Sequence, residues 1–367
     1  MPRFRGFLFA AALAVGMGGA AAAMAQASPT SPPIAVHYHL VKSVPLGAPN
    51  SWDYAVYDPS SNRLFVAHGN RLTVVDGRSG RIVGQVGPIP GGPHGTAFDP
   101  AAGVGITDDG RLGQAVIFDL KTLAIVKRLK VQRGADAVAF DPVSGHAFVI
   151  DGDTGEIAVI DPARRRVVTF IHIGGDLEYA VSGDNGKLYV NGVTHHEIFR
   201  IDTATNRVDA SWPMPQCKSP HGLAIDTRTH RLFSSCENQR LVVVNSENGA
   251  AVAAVPIGRG TDADRFDPMS HLIFSSNGFD GTLSIIREVD ANSFVPAATV
   301  KTALSARTMG IDIASGRVYL LAAHTTQKAM EDFRAQWRKT HHRPHHSPFA
   351  AGSLKLLVFD PGRVLNH

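Results

Sequence analysis

Short apolar runs alternate with clusters of turn residues along most of this chain. Between Asp136 and Asp161, three apolar runs of four residues are separated by Asp141–Pro142 and by glycines, and a fourth run follows at 167–173. Apolar runs of this length with turn residues between them predict β-strands joined by tight turns. This stretch therefore predicts a four-stranded antiparallel unit of about 42 residues.

The turn between the first two strands of this unit recurs at a nearly constant interval. The repeated position is occupied by Asp58, Asp99, Asp141, Asp184, Asp226, Asp267 and Asp312. Successive positions are 41 to 45 residues apart, a period typical of propeller blades. One blade cannot bury both faces of its sheet, so the units must close into a ring. The predicted fold class is all-β, a seven-bladed β-propeller of four-stranded antiparallel blades.

The two ends of the chain are predicted to share the last blade. The seventh unit has strands near 309–311, 318–321 and 354–359 but no fourth strand, whereas residues 37–46 have the pattern of a fourth strand. We expect this N-terminal strand to complete blade seven. The ring would then close without leaving an open sheet edge.

The first 25 residues predict a secretory signal peptide. Two arginines precede an apolar stretch at 7–23, and the A-x-A sequence at 23–25 fits a cleavage site. The alternative is an uncleaved membrane anchor, but no stop-transfer pattern follows. We expect a linker at 26–36 and a single propeller domain at 37–367. The protein would be periplasmic or secreted, with no membrane span after signal cleavage.

Charge and motif content exclude several classes of protein. The formal net charge is +4, or about +2 without the signal-peptide arginines, so the surface is nearly balanced and no nucleic-acid partner is expected. No C-x-x-C-H sequence occurs, which excludes covalent haem of the c type. The sequence also lacks the G-x-S-x-G, H-E-x-x-H and P-loop motifs.

Several second strands end in related tetrapeptides, namely FVAH at 65–68, FVID at 148–151, YVNG at 189–192 and FSSN at 274–277. These units resemble the YVTN-type repeats of seven-bladed propeller proteins, the YncE-like family. Further pieces resemble an exported subgroup, namely WDY at 52–54, CKSPHGLA at 217–224, SCEN at 235–238 and RTM at 307–309. The resemblance covers about residues 37–360 and implies the fold. It implies no particular reaction, because propellers host unrelated activities.

Each first strand begins five residues before the repeated aspartate, and this position is polar in every unit. Counting from Gly183 in unit four, the residues are Asp53, His94, Asp136, Glu178, His221, Asp262 and Arg307. First strands are innermost in a propeller, so we expect these side chains to ring one mouth of the central channel. A hairpin returns the end of the second strand to the same mouth. That second set comprises His68, Asp109 and Asp151, with Cys236 and Asn277.

The polar mouth has two interpretations. It could be a funnel that binds a small polar ligand or a divalent metal ion, since histidines such as His94 and His221 suit Zn²⁺ and carboxylates suit Ca²⁺. Alternatively, the carboxylates could accept backbone N–H groups of neighbouring loops, as a repeated structural feature. His94 and His221 are the residues that the structural interpretation explains least.

The two cysteines, Cys217 and Cys236, predict one disulfide in an exported protein. If the hairpin turns near 226–231, Cys236 lies opposite about His221, and Cys217 lies in the loop that leads into the first strand. The bond would then fix that loop to the channel mouth. The alternative is a metal or redox site formed by the cysteines with His221.

Arg265 is an exception in the first strand of blade six. The residue two positions before the repeated aspartate is small or aliphatic in the other blades, for example Ala97 and Gly310. A buried arginine needs a partner for its charge. We therefore expect an ion pair between Arg265 and a carboxylate of a neighbouring blade.

Blade seven carries an insertion at about 323–352, on the same mouth. Residues 326–340 predict a helix, because Met330, Phe333 and Trp337 fall on one face. Histidines flank this helix, namely His324, His341, His342, His345 and His346. The insertion could be a lid whose histidines bind Zn²⁺ or Cu²⁺. Alternatively, it is a surface excursion with solvated histidines.

Three functions are compatible with these features. The first is an exported, monomeric binding propeller that uses the funnel to hold a small polar ligand or a periplasmic protein. The second is a metal-dependent hydrolase or lactonase at the same funnel, with Arg307 stabilising developing negative charge. The third is a periplasmic metal-handling or redox partner that uses the histidine-rich insertion.

Overall fold

The computed structural model describes residues 36–340 and 347–362, and it confirms the all-β propeller. Seven four-stranded antiparallel sheets are present in this part of the chain. The predicted signal peptide at 1–25 and the histidines at 341–346 lie outside the described residues. No helix within the described ranges is long and apolar enough to cross a membrane.

The blades follow the chain in order. The N-terminal strand is β1 (Tyr38–Pro45). Blade one consists of β2 (Trp52–Asp58), β3 (Arg63–His68), β4 (Arg71–Asp76) and β5 (Ile82–Val86), and blade two of β6 (Thr96–Asp99), β7 (Val104–Asp109), β8 (Gln114–Asp119) and β9 (Ile125–Lys130), with a 3-10 turn at Gly110–Leu112. Blade three consists of β10 (Ala135–Asp141), β11 (His146–Asp151), β12 (Glu156–Asp161) and β13 (Arg166–His172).

The remaining blades have the same order of strands. Blade four consists of β14 (Leu177–Ser182), β15 (Lys187–Gly192), β16 (Glu197–Asp202) and β17 (Arg207–Pro213), and blade five of β18 (Pro220–Asp226), β19 (Arg231–Cys236), β20 (Arg240–Asn245) and β21 (Ala251–Pro256). Blade six consists of β22 (Thr261–Asp267), β23 (Leu272–Asn277), β24 (Thr282–Asp290) and β25 (Ser293–Lys301). Blade seven consists of β26 (Thr308–Asp312), β27 (Arg317–Ala322), β28 (Lys355–Pro361) and β1.

The repeated aspartates have a local structural reason. Asp58 accepts a hydrogen bond from the backbone N–H of Ser60 at 3.0 Å, and Asp226 accepts one from Arg228 at 2.8 Å. An aspartate that bonds the backbone two residues later forms an Asx turn. These turns join the first two strands of a blade, which is why aspartate marks the period. In blade four the pairing of Val181 with Tyr189 puts Gly183 at this position, and the backbone N–H of Asp184 donates to Ser182 Oγ instead.

The apolar side chains are buried between blades. In the described residues, seven hydrophobic clusters lie one at each seam between adjacent sheets. Phe148, for example, packs with Leu188 of the next blade. Burying a side chain of this size stabilises the fold by roughly 1.5–3 kcal/mol. Each blade therefore depends on both neighbours, as the repeat pattern predicts.

The N-terminal strand closes the ring as predicted. β1 pairs antiparallel with β28, with Tyr38 opposite Pro361 and Pro45 opposite Lys355. The backbone N–H of Gly362 donates to the carbonyl of His37 at 2.7 Å, which extends the pairing. The outer strand and the three inner strands of blade seven thus come from opposite ends of the propeller domain.

The insertion in blade seven contains the predicted helix, α1 (Gln327–Thr340). Met330 is buried, and the Arg334 guanidinium donates to Glu237 of blade five at 2.6 Å. Arg334 also lies over the ring of Phe279 of blade six, at 4.9 Å from its centroid. The helix therefore packs on the rim formed by the loops of blades five and six.

Candidate functional site

The structure brings the polar first-strand side chains together at one mouth of the channel. One ligand atom each of Asp53, His94 and Asp136 lies within 4.8 Å of the others. Glu178, His221 and Asp262 form a second group with the same spacing. Arg307 joins the two groups, and we call these seven residues the channel ring. Consecutive blades thus supply consecutive members of the ring.

His94 is held by a buried carboxylate that lies behind the ring. Its Nδ1 is 2.7 Å from Asp108 Oδ2, while Asp108 Oδ1 accepts the backbone N–H groups of His94 and Gly95 at 2.9 and 2.8 Å. This leaves Nε2 as the ring nitrogen available to a ligand. A histidine that binds a metal through one nitrogen commonly donates the other N–H to a carboxylate.

His221 lies between two carboxylates without forming a normal hydrogen bond to either. Its Nδ1 is 3.7 Å from Glu178 Oε2 and 3.7 Å from Asp262 Oδ1. This nitrogen is buried and has no hydrogen-bond partner in the described residues. Ligands of a tetrahedral ion with bonds of about 2.1 Å are roughly 3.4 Å apart. The three atoms are therefore spaced much as ligands around an ion would be.

Arg307 provides the positive charge of blade seven. Its guanidinium contacts Asp262 Oδ2 directly, lies 3.8 Å from Asp53 Oδ2 and donates to the carbonyl of Trp52 at 3.2 Å. It also lies over the Trp52 ring, at 5.8 Å from the centroid. Arg307 thereby closes the ring between blades six and one.

Burial and mutual charge shift the pKa values of the ring. Burial raises the pKa of Asp53 to about 6, against the opposing effects of Arg307 and His94, and it raises the pKa of Asp136 well above its usual range. Burial alone would lower the pKa of His94, but the Asp108 carboxylate outweighs it, and the pKa rises to about 10. Glu178 likewise outweighs burial and raises the pKa of His221 to about 9.

Two tyrosines form a floor beneath the ring. The Tyr54 hydroxyl donates to Glu178 Oε1 at 3.0 Å, which links blades one and four. The Tyr179 ring lies 4.9 Å from that of Tyr54. Arg265 lies over Tyr179 at 5.1 Å and donates to its own blade at the carbonyl of Asp264. Arg265 therefore has an aromatic partner, and the predicted ion pair with a neighbouring blade is not among the described contacts.

The structure places the second predicted set away from the ring. His68 contacts Thr73 Oγ1 and the carbonyl of Pro49, both at 2.9 Å. Asp109 lies 3.8 Å from an Arg128 nitrogen, and Asp151 accepts the N–H groups of its own turn. Side chains alternate between the two faces of a strand. The residue that points towards the first strand is therefore the one before the strand end, as Asp108 shows behind His94.

Cys217 and Cys236 form the predicted disulfide, with Cα atoms 5.4 Å apart. Both cysteines are buried, and because their sulfurs are bonded to each other, neither is a free thiolate that could bind a metal ion together with His221. The bond fixes the loop before β18 to the end of β19, and it is compatible with an extracellular location. The insertion's His324 is exposed, and its backbone N–H bonds Ser353 Oγ at 2.9 Å.

Sequence reasoning missed Asp108, Tyr54 and Tyr179. The tyrosines did leave a signal, because the position after each ring residue is otherwise small or short. In chain order it holds Tyr54, Gly95, Ala137, Tyr179, Gly222, Ala263 and Thr308. Asp108 left only a weak signal, since it forms part of an Asp-Asp pair at a strand end.

Comparison with known proteins identifies the fold. No known family model and no curated protein match the chain. A chain of the Kuenenia stuttgartiensis hydrazine synthase is similar with a TM-score of 0.65 and 15% identity, covering 76% of this chain and 92% of that chain. A chain in the structure of a mitotic checkpoint complex has a TM-score of 0.70 and 12% identity, covering 92% and 97%.

The fold and the ring together define the class of this protein. It is a seven-bladed β-propeller, an architecture that generally serves for binding or as a scaffold. At these low identities, the similarity to solved structures extends to the fold alone. The chemistry of this chain therefore has to be argued from its own ring.

Proposed function

We propose that this protein is an exported binding propeller of the YncE-like group, whose channel ring holds a divalent metal ion and, next to it, a small polar ligand. The observation that supports this most strongly is the pair of groups that each combine one histidine with two carboxylates. Imidazole and carboxylate together suit Zn²⁺, Mn²⁺ and similar ions. Asp108 supplies the supporting carboxylate that metal-binding histidines commonly have.

The ring has more acidic than basic groups, and a divalent ion would also have to displace the protons that the raised pKa values of His94 and His221 imply. Four carboxylates face one arginine and two histidines, and Asp108 adds a further carboxylate behind the ring. Burial raises the pKa of Asp53, Asp136 and Asp262, so these groups hold protons more tightly than usual. A divalent ion could replace those protons, which couples metal binding to proton release.

The structural explanation of the ring fits less well. Carboxylates with a purely structural role would accept backbone N–H groups. The described contacts of Asp53, Glu178 and Asp262 instead run to Arg307, His221 and Tyr54. The ring side chains thus face one another and the channel.

The first experiment measures metal content by mass spectrometry on untagged protein from the periplasm. The parent protein and all variants would carry asparagine in place of His341, His342, His345 and His346, so that this histidine tract cannot bind metal. We expect bound metal in this parent, at least tenfold less in His94→Ala/His221→Ala, and no change in His39→Ala, a control on the exposed part of β1. Equal metal in the double variant, or none in the parent, would contradict the proposal.

The hydrolase or lactonase remains the second candidate, and Arg307 is the observation that favours it. A guanidinium beside the two metal-ligand groups could stabilise negative charge that develops on a substrate oxygen. Metal-dependent turnover of a lactone or ester panel, lost in Arg307→Gln with metal still bound, would support an enzyme. Tight binding without turnover would support the binding protein.

The same experiment tests the metal-handling alternative. If the unmodified chain holds metal and the parent with the four asparagines holds none, the histidine tract is the metal site. That result would replace the ring proposal with a function of the insertion.

A further inference from the structure

A third group of chemistry-bearing side chains lies at the seam between blades five and six. Ligand atoms of Asp226, His271 and Glu288 lie within 4.8 Å of one another. Asp226 ends β18, and His221 of the ring lies at the start of that strand. Five residues of strand span about 17 Å. This group is therefore at the opposite end of the propeller from the ring.

Glu288 occupies a position where other blades have no carboxyl group. Its backbone N–H donates to the carbonyl of His271 at 3.0 Å. The same bond to the preceding turn is made in four other blades by Gly77, Leu120, Thr203 and Ser246. The equivalent side chain is thus absent, apolar or a hydroxyl in those blades. In blade six, this buried position of the common fold carries a carboxyl group.

The seam is short of hydrogen-bond donors for two carboxyl groups. The Thr229 hydroxyl lies 2.9 Å from Asp226 Oδ2 and 2.7 Å from Glu288 Oε1. A hydroxyl has one proton, so it cannot donate to both. Asp226 and Glu288 are only 3% and 4% exposed, and Glu288 Oε2 is buried without a partner in the described residues. Two such groups need either a proton or a cation between them.

Arg228 contributes positive charge only from the outside. Its side chain is 64% exposed and lies 3.5 Å from Asp226 Oδ2, while one of its nitrogens is 3.0 Å from His271 Nδ1. An exposed arginine can move aside at little cost, because exposed ion pairs contribute little to stability. Burial raises the pKa of Glu288 to about 7, as expected for a carboxyl group that lacks a matched cation.

We propose that Asp226, His271 and Glu288 form a second divalent-metal site, which fastens the seam between blades five and six. Two carboxylates and one imidazole suit Zn²⁺ or Mn²⁺. The ligands come from both blades, so a bound ion would join them on the face away from the ring. The role is structural, and it does not depend on what the ring binds.

The test uses a chain without the ring histidines and without the histidines that follow α1. His94 and His221 are replaced by alanine and the histidines at 341–346 by asparagine, and Zn²⁺ is titrated by calorimetry, with Co²⁺ as a spectroscopic probe. We expect one equivalent of Zn²⁺, d–d absorption bands with Co²⁺, and a higher Tm with Zn²⁺. Ring and seam are then distinguishable, because this chain lacks the histidines of the ring.

Two variants remove ligands with little disturbance of the fold. Glu288→Thr introduces the residue that blade four has at this position, and His271→Asn suits a residue whose φ is 54°. Each should weaken Zn²⁺ binding by at least about 100-fold, more than the loss expected for a supporting group. Arg228→Gln should strengthen it by removing the competing cation. Glu247→Gln, on the neighbouring exposed turn, should change nothing.

Two outcomes would overturn the proposal. One is Zn²⁺ binding that is equally tight in Glu288→Thr, which would place the ion elsewhere. The other is no Zn²⁺ binding in the parent. Stability that then falls as pH rises from 5 to 8 in the parent but not in Glu288→Thr would identify what takes the place of the ion. In that case Asp226 and Glu288 share a proton, since ionisation of Glu288 would then cost stability.

Discussion

Asp108 decides which nitrogen of His94 faces the channel. Its carboxylate accepts two backbone N–H groups and lies 2.7 Å from the Nδ1 of that histidine. The sequence predicted the ring position of His94 but selected Asp109 as its neighbour. Strand ends in a sequence are uncertain by a residue or so, and a shift of one residue moves a side chain to the other face. For that reason, the sequence predicted only those residues near the channel mouth whose positions could be counted from a turn.

Replacing Asp108 by asparagine should weaken metal binding at the ring. The amide would no longer carry the charge that orients His94, and loss of such a supporting carboxylate typically costs about 10–100-fold in affinity. Calorimetric titration with Zn²⁺ would measure this change. Asp109→Asn is the matched control on the other face of β7, and it should leave the affinity unchanged. An unchanged affinity in Asp108→Asn would assign that carboxylate to backbone support alone.

His68 should affect stability at acidic pH and not metal content. Burial lowers its pKa from 6.5, against the opposing bond to Pro49, so the unfolded chain binds a proton more readily than the folded one. This contribution to stability is complete above pH 6.5 and is lost as pH falls below that value. Urea unfolding at pH 7 and pH 5 should show a smaller loss in His68→Gln than in the parent.

The exposed His37 provides the comparison for this measurement. His37→Gln should retain the pH dependence of the parent. If His68→Gln had the parent's pH dependence but lower metal content, His68 would belong to the ring after all.

Among the elements, α1 shows where prediction from sequence ends. The apolar spacing predicted its existence and its bounds to within one residue. Nothing in its sequence indicated that Arg334 would contact Glu237 and Phe279, because those partners lie in loops of two other blades. Glu237 directly follows Cys236, so the disulfide holds the loop on which the helix rests. Contacts between distant elements depend on the closed ring, which a linear pattern does not describe.

Arg334→Ala should loosen α1 without unfolding the propeller. An exposed ion pair and a cation–π contact together contribute about 1 kcal/mol, which corresponds to roughly fivefold faster hydrogen exchange in the helix. Exchange measured by mass spectrometry should change in 327–340 and not in the blades. Lys328→Ala removes an ion pair with Asp332 on the same helix and should leave the contact with the rim intact. Equal effects of the two variants would mean that Arg334 does not anchor the helix.

At the scale of the whole molecule, the period of the repeated aspartates was sufficient to predict the fold. Seven turns at 41 to 45 residues, with four apolar runs in each of the first six units, leave little choice of architecture. The candidate site was less predictable. The ring positions followed from the period. The contact between Tyr54 and Tyr179 joins blades one and four, and the seam group of Glu288 joins side chains of two blades that the period does not place opposite one another.

Removing β1 should open the ring. A chain that begins after Pro45 would expose the edge of β28 and the apolar face covered by Tyr38. We expect a decrease in Tm of at least about 10 °C and association that depends on concentration, measured by calorimetry and by light scattering. Leu40→Ser keeps the strand and changes only a side chain that is 51% exposed, so it should remain monomeric and stable. A truncated chain that behaves in the same way would show that six complete blades suffice.

The pairing of β1 with β28 also determines how the protein would respond to a pulling force. Tyr38 lies opposite Pro361, so a force applied at residues 36 and 362 acts first on that pair and then on one pair after another. The two strands would separate one residue pair at a time, at low force, before the force acts on any other blade. A force applied at residues 47 and 362 would instead shear all the pairs at once. The strand that closes this propeller is therefore also its weakest point under tension between its two ends.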